Sequence, residues 1–132
     1  MTSRVLVVED DPPIASVLQR GLGLAGYAVE VAEDGPSGLG RWAEGGWSAG
    51  IVDLMLPGMD GIAVCAARRA VGDATPVLVL TARDDEALRD AARAAGADAF
   101  LTKPFAYAEL LATLGRITGG PGTDSPSPAP SR

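Results

Sequence analysis

The chain contains no histidine, and Cys65 is its single cysteine. Without histidine there can be no Ser-His-Asp triad, no Cys-His pair and no His-ligated zinc. One cysteine leaves neither an intramolecular disulfide nor a cysteine-rich metal centre. No apolar run approaches the eighteen or so residues of a membrane span. In the opening "MTSRVLVVED", charge follows after four apolar residues, so no signal-peptide core is expected. Basic residues are in the minority, 11 against 17 acidic, for a net charge of −6. That balance argues against nucleic acid or an anionic membrane as a partner of this chain itself. A cytoplasmic, reducing location fits the cysteine usage. Any chemistry must therefore use carboxylates, hydroxyls, lysine and a hard metal.

What is present suits one globular domain: 132 residues, 47% apolar and 21% charged. Short apolar runs alternate with helical patterns. Strands are expected over 4–8, 27–32, 49–53, 76–81 and 98–103, and helices over 12–26, 35–46, 61–70, 85–96 and 107–117. Five successive βα units imply an α/β fold with a parallel sheet covered on both faces. From Thr118 onward "TGGPGTDSPSPAPSR" has no aliphatic residue larger than alanine and reads as a disordered tail or the start of a linker, so the domain is expected over 1–117.

One motif is set aside. "GLGLAG" (21–26) spells the dinucleotide-binding G-x-G-x-x-G. That mechanism needs the glycines to follow a strand and open a helix. Here they fall at the far end of the first helix, where close packing and a helix stop at Gly26 explain them.

The informative stretch is "VLVVEDDP" (5–12), in which a buried-looking strand runs into Glu9, Asp10 and Asp11. Two like charges about 4 Å apart repel by roughly 4 kcal/mol at an effective dielectric near 20, so these acids need a counter-charge. Ligands of open α/β sheets bind outside the carboxyl ends of the strands. At those ends stand Glu9 and Asp10, then Asp53, Thr81 and Lys103. Three acids, a hydroxyl and an ammonium from four strands suit a hard cation such as Mg²⁺. Asp11 precedes Pro12 and reads as a helix N-cap, with a direct role at the metal as the alternative.

"VLVVEDD", "VDLMLPGMDG", "VLVLTA" and "GADAFLTKPF" follow one another in order. Together they resemble the receiver domain of two-component response regulators, over residues 4 to about 117. The resemblance implies a doubly wound, CheY-like, flavodoxin-like sheet of five parallel strands in order 2-1-3-4-5, flanked by five helices. It implies phosphorylation of Asp53 by a sensor histidine kinase or phosphotransfer protein, with Mg²⁺ held by Glu9 (directly or through water), Asp10, Asp53 and the backbone carbonyl of Met55. Lys103 would pair with Asp53 and then with the phosphoryl group. Thr81 would bond a phosphoryl oxygen, and Phe100 would be the switch aromatic. Arg83 and Met55 would tune the slow loss of phosphate to water. Lys103–Pro104 would be cis, and the face of the fourth helix, fifth strand and fifth helix would control an output such as transcription. On this reading the protein is a phosphoacceptor signalling domain rather than an enzyme acting on other substrates.

"KPFAYAEL" is closest to the OmpR/PhoB branch, whose receivers dimerise through that face. Arg89 and Glu109 match one pair of that branch's interface. Ala99 and Thr113 replace the usual Asp and Arg of another, which weakens the expected homodimer. A stand-alone or degenerate receiver, working as a phosphorelay or protein-binding module, is the alternative. A Mg²⁺-dependent phosphatase with an aspartyl intermediate fits less well, because its usual Asp-x-Asp would need an acid where Met55 stands. Pro57, Gly58 and Gly61 are expected to shape the loop after Asp53, and Cys65 to be a small buried residue. No function is assigned to Trp42 or Trp47.

Overall fold

The computed structural model describes residues 3–119. The elements run β1 (Arg4–Val8), α1 (Pro12–Leu24), β2 (Ala28–Ala32), α2 (Gly35–Ala43), β3 (Ala49–Asp53), α3 (Gly61–Ala70), β4 (Val77–Thr81), α4 (Glu86–Ala94), β5 (Ala99–Thr102) and α5 (Tyr107–Thr118). The strands are parallel and ordered β2-β1-β3-β4-β5, as expected. Near-continuous apolar runs form β1, β3 and β4 because both faces of the sheet are covered. Val5, Val7, Ile51, Leu78 and Leu80 face a core shared with α1 and α5. Leu6, Val8, Val52, Val77 and Val79 face Trp42, Val64 and Cys65 on the other side.

Aspartates start the helices. Asp11, Asp34, Asp60 and Asp85 are the N-caps of α1, α2, α3 and α4, and each accepts a main-chain N–H of the first turn. The side-chain oxygen satisfies a donor the helix cannot satisfy itself. Several of the acids that set the net charge are therefore structural. Asp11 caps Ile14 N–H at 3.4 Å, as its place before Pro12 suggested.

The helix ends differ from expectation. α1 stops at Leu24, and Gly26 is left-handed at φ 103°. α2 stops at Ala43 instead of 46, because Gly45 and Gly46 adopt φ 81° and 85° and leave the helix. α4 opens one residue later than expected, since Asp85 is its cap. α5 includes Thr118, the first residue of the expected tail, and residues 120–132 of that tail lie outside the described ones.

The glycines of the set-aside motif are structural too. A Cβ on Gly21 would lie 2.7 Å from the Tyr107 ring, and the Tyr107 hydroxyl donates to Gly21 O at 2.7 Å. The glycine lets α5 rest on α1. Trp42 is fully buried, with its ring against Gly50. Trp47 is buried, donates its indole N–H to Arg41 O and lies under the Arg4 guanidinium. Cys65 is buried, with its thiol directed at Ala95 O; burial pushes the thiol pKa up, which makes it a poor nucleophile.

Candidate functional site

The sheet delivers the expected residues to one edge. Val8 is the last residue of β1, so Glu9 and Asp10 lie just beyond the strand. Asp53 and Thr81 are the last residues of β3 and β4, and Lys103 follows β5. Glu9 N–H bonds Ala32 O, and Lys103 N–H bonds Thr81 O at 2.7 Å, which extends the ladder and fixes both side chains at the rim.

Lys103 is the centre of the arrangement. Its Nζ donates to Asp53 Oδ2 at 2.7 Å and to Glu9 Oε1 at 2.8 Å. The pairing with Asp53 is the one the family resemblance implies; the bridge to Glu9 was not expected. Lys103 thus supplies counter-charge to Glu9, one of the acids that needed it, and to Asp53. Asp53 Oδ1 accepts Met55 N–H at 2.9 Å, so both of its oxygens are held. Glu9 Oε2 accepts Asp11 N–H at 3.2 Å.

Glu9 is 1% exposed. Burial, together with the neighbouring Asp53 carboxylate, pushes its carboxyl pKa up to about 7 against the pull of Lys103 and the Asp11 N–H. Burial disfavours the charged form of Lys103, but its bonds to Asp53 and Glu9 outweigh that and hold its pKa above the usual value. The lysine therefore stays cationic.

Glu9, Asp10 and Asp53 each offer a carboxylate oxygen, and these three atoms lie within 4.8 Å of one another. Mg²⁺ takes oxygen ligands at about 2.0–2.1 Å. A hard, all-oxygen donor set with exposed Asp10 on the solvent side is the kind that such an ion takes. Asp11 and Met55 also line the open cleft, and Met55 is exposed. Arg83 lies outside that lining and pairs with Asp85.

The loop after β3 is built to bring Asp53 and α3 together. Gly58 turns it with φ 82°. Gly61 does not share that role, contrary to the sequence reading. Its φ is not positive, but a Cβ there would sit 2.3 Å from Asp53 O. Gly61 is needed for close approach of α3 to the strand end.

Thr81 is fully buried, and its hydroxyl oxygen accepts Arg83 N–H at 3.1 Å. Thr81 pairs in register with Thr102, and Val79 with Phe100. In-register neighbours share a face of the sheet, so Thr81, Thr102 and Phe100 all lie on the α4 side. Phe100 is half-buried, with the Arg89 guanidinium over its ring. The Lys103–Pro104 bond is cis. On the face expected to carry output, Glu109 is exposed and Thr113 buried. Arg89 is engaged within its own chain, with Asp84. Among the described residues no helix is long and apolar enough to cross a membrane.

Fold and site together define a doubly wound α/β domain with a lysine-bridged acidic pocket at the carboxyl edge of its sheet. The chain belongs to the response regulator receiver domain family, whose family model matches residues 5–115. It is 45% identical over 131 residues to response regulator MprA of Mycobacterium sp. (strain KMS), covering 96% of this chain and 57% of that protein. It is 46% identical over 114 residues to response regulator MprA of Mycobacterium tuberculosis (strain ATCC 25177 / H37Ra), covering 86% of this chain and 50% of that protein. The chain spans about half the length of these curated relatives. Among solved structures it resembles the Francisella response regulator 1452 receiver domain (TM-score 0.85, 30% identity, 89% of this chain and 97% of that one). It also resembles TrrA of Thermotoga maritima in complex with Mg²⁺-BeF (TM-score 0.80, 30% identity, 87% and 98%).

Proposed function

We propose that this receiver accepts a phosphoryl group on Asp53 from a phosphohistidine of a sensor kinase or phosphotransfer protein, and that the change is passed to the α4–β5–α5 face. One observation carries the reading. The Asp53 carboxylate lies buried at a strand end, bonded to Lys103 and within 4.8 Å of oxygens of Glu9 and Asp10.

A carboxylate oxygen of Asp53 attacks the phosphorus. The P–O bond forms as the P–N bond breaks, and the donor imidazole leaves with the electron pair. Lys103 and the Met55 N–H orient the carboxylate before attack. Lys103 then remains beside the phosphoryl oxygens as a fixed cation. Glu9, Asp10, Asp53 and the Met55 carbonyl would hold Mg²⁺, which when bound offsets charge on the transferred group. Thr81 exchanges its bond from Arg83 for one to a phosphoryl oxygen, and Phe100 turns toward the space Thr81 leaves. Exposed Met55 and Arg83 border the route of attacking water and tune loss of the phosphate.

An apolar groove lined by Pro13, Ile14, Val17 and Phe105 shares Ala82 and Lys103 with the acidic cleft. It suits contact with the phosphodonor protein. The output, transcription for instance, belongs to the partner of the α4–β5–α5 face. A homodimer through that face would lack the pair that Ala99 and Thr113 replace. The domain works where Mg²⁺ and the kinase are found, in the cytoplasm.

The test is intact mass after incubation with a small phosphodonor. The reading requires one phosphoryl adduct on the wild type that depends on Mg²⁺ and is absent from Asp53→Ala. No adduct on folded wild-type protein would favour a receiver acting as a binding scaffold alone.

A further inference from the structure

Arg89 holds three elements at once. It stands on α4, its guanidinium lies 4.7 Å from the centroid of the Phe100 ring on β5, and two of its nitrogens donate to Asp84 Oδ1 at 2.8 and 3.0 Å. Asp84 belongs to the loop between β4 and α4, three residues after Thr81. One side chain therefore ties the aromatic of β5 to the loop that follows Thr81.

Phe100 is half-buried and shares the α4 face of the sheet with Thr81 and Thr102. The Thr102 hydroxyl is buried and, among the described residues, has no hydrogen-bond partner. Ala92, Ala97 and Ala99 line the cleft between α4 and β5 together with Arg93 and Asp98, and the guanidinium over the ring face is that of Arg89.

We propose that Arg89 is an intramolecular latch that holds Phe100 outward, against α4, and so opposes the activated conformation. The latch rests on the reading of Phe100 as the moving aromatic. An inward turn of the ring toward Thr81 removes its face from the guanidinium, and a shift of the loop with Thr81 pulls Asp84 from the same group. Both movements break contacts of one residue, so the latch couples them. Releasing Arg89 also frees a cation on α4 that the resting domain keeps for itself. A stacked cation together with an exposed ion pair shifts a two-state equilibrium by roughly tenfold.

The chain has two phenylalanines, Phe100 and Phe105. Incorporating fluorophenylalanine into the full chain therefore gives two ¹⁹F resonances, assigned with Phe105→Leu. Spectra are recorded with Mg²⁺ while beryllofluoride, a phosphoryl mimic, is titrated. In Arg89→Ala, the Phe100 resonance should begin displaced toward its beryllofluoride position and reach half-conversion at roughly a tenth of the wild-type concentration. Asp84→Ala leaves the stack but removes the ion pair, and should fall between the two. A wild-type midpoint in both variants, with folding verified by an unchanged Phe105 resonance, would overturn the latch while leaving the switch reading intact. A wild-type Phe100 resonance that never responds to beryllofluoride would overturn both.

Discussion

Replacing Glu9 with Gln should stabilise the metal-free domain while destroying its affinity for Mg²⁺. Glu9 is a buried carboxyl beside Asp53, and its pKa rises from 4.5 to about 7 on folding. A folded carboxyl that binds its proton more tightly than the unfolded one makes stability highest below pH 4.5. That stability is lost as pH rises to about 7. At about 1.4 kcal/mol per unit, the cost of ionising Glu9 is at most about 3–4 kcal/mol above pH 7. Gln keeps the shape and a carbonyl for Lys103 but removes the charge; the weaker bond to Lys103 returns part of the gain, leaving about 1–2 kcal/mol. For a domain of this size that is a Tm increase of about 3–10 °C. The assay is thermal unfolding in EDTA at pH 8 and pH 5, for wild type and Glu9→Gln. The variant should gain at pH 8 and gain little at pH 5. A variant less stable than wild type at pH 8, or a gain independent of pH, would refute the argument that burial and Asp53 outweigh Lys103 at this carboxyl.

Gly61→Ala should cost about 1–3 kcal/mol in denaturant unfolding, because its Cβ would collide with Asp53 O and main chain cannot yield as a side chain can. Its adduct yield with a small phosphodonor should fall as Asp53 is displaced. Asp11→Ala should cost about 1 kcal/mol through the lost cap yet change Mg²⁺ affinity by less than about threefold, measured by titration calorimetry; a large loss of affinity would place Asp11 at the metal. Wild-type Mg²⁺ affinity should rise with pH up to about 7, as Glu9 gives up its proton, and flatten above it. A pH-independent affinity would mean that Glu9 is already ionised in the metal-free domain.

The strands and the strand-end residues were readable because β1, β3 and β4 are apolar runs that stop at a polar residue; the sheet order came only from the family resemblance. The chemistry begins where burial ends, so Asp53 and Thr81 announce the edge of the sheet. Asp11 was readable from Pro12 alone, since cap and first turn are local. The contacts that escaped are those made across the fold. Lys103 and Glu9 are separated by 94 positions, and only the β2-β1-β3-β4-β5 order brings them together. Arg89 looked like an exposed helix residue suited to a neighbouring molecule, and nothing in the helical period marks its stack on Phe100. Gly61 was visible as a glycine, but whether it turns the chain or admits another backbone depends on how α3 is seated. The end of α2 was misplaced because Gly45 and Gly46 were counted within a helix weakened by glycines, while both adopt left-handed backbone and leave it.

The central claim, that Asp53 takes the phosphoryl group, is tested most directly at the residue itself. Borohydride reduces an aspartyl phosphate to homoserine, which peptide mass mapping locates. After treatment with Mg²⁺ and a small phosphodonor, homoserine should replace Asp53, with no such change when Mg²⁺ is left out. Reduction product at another carboxylate, Asp10 or Asp11 for instance, or none on protein carrying a phosphoryl adduct, would contradict the account.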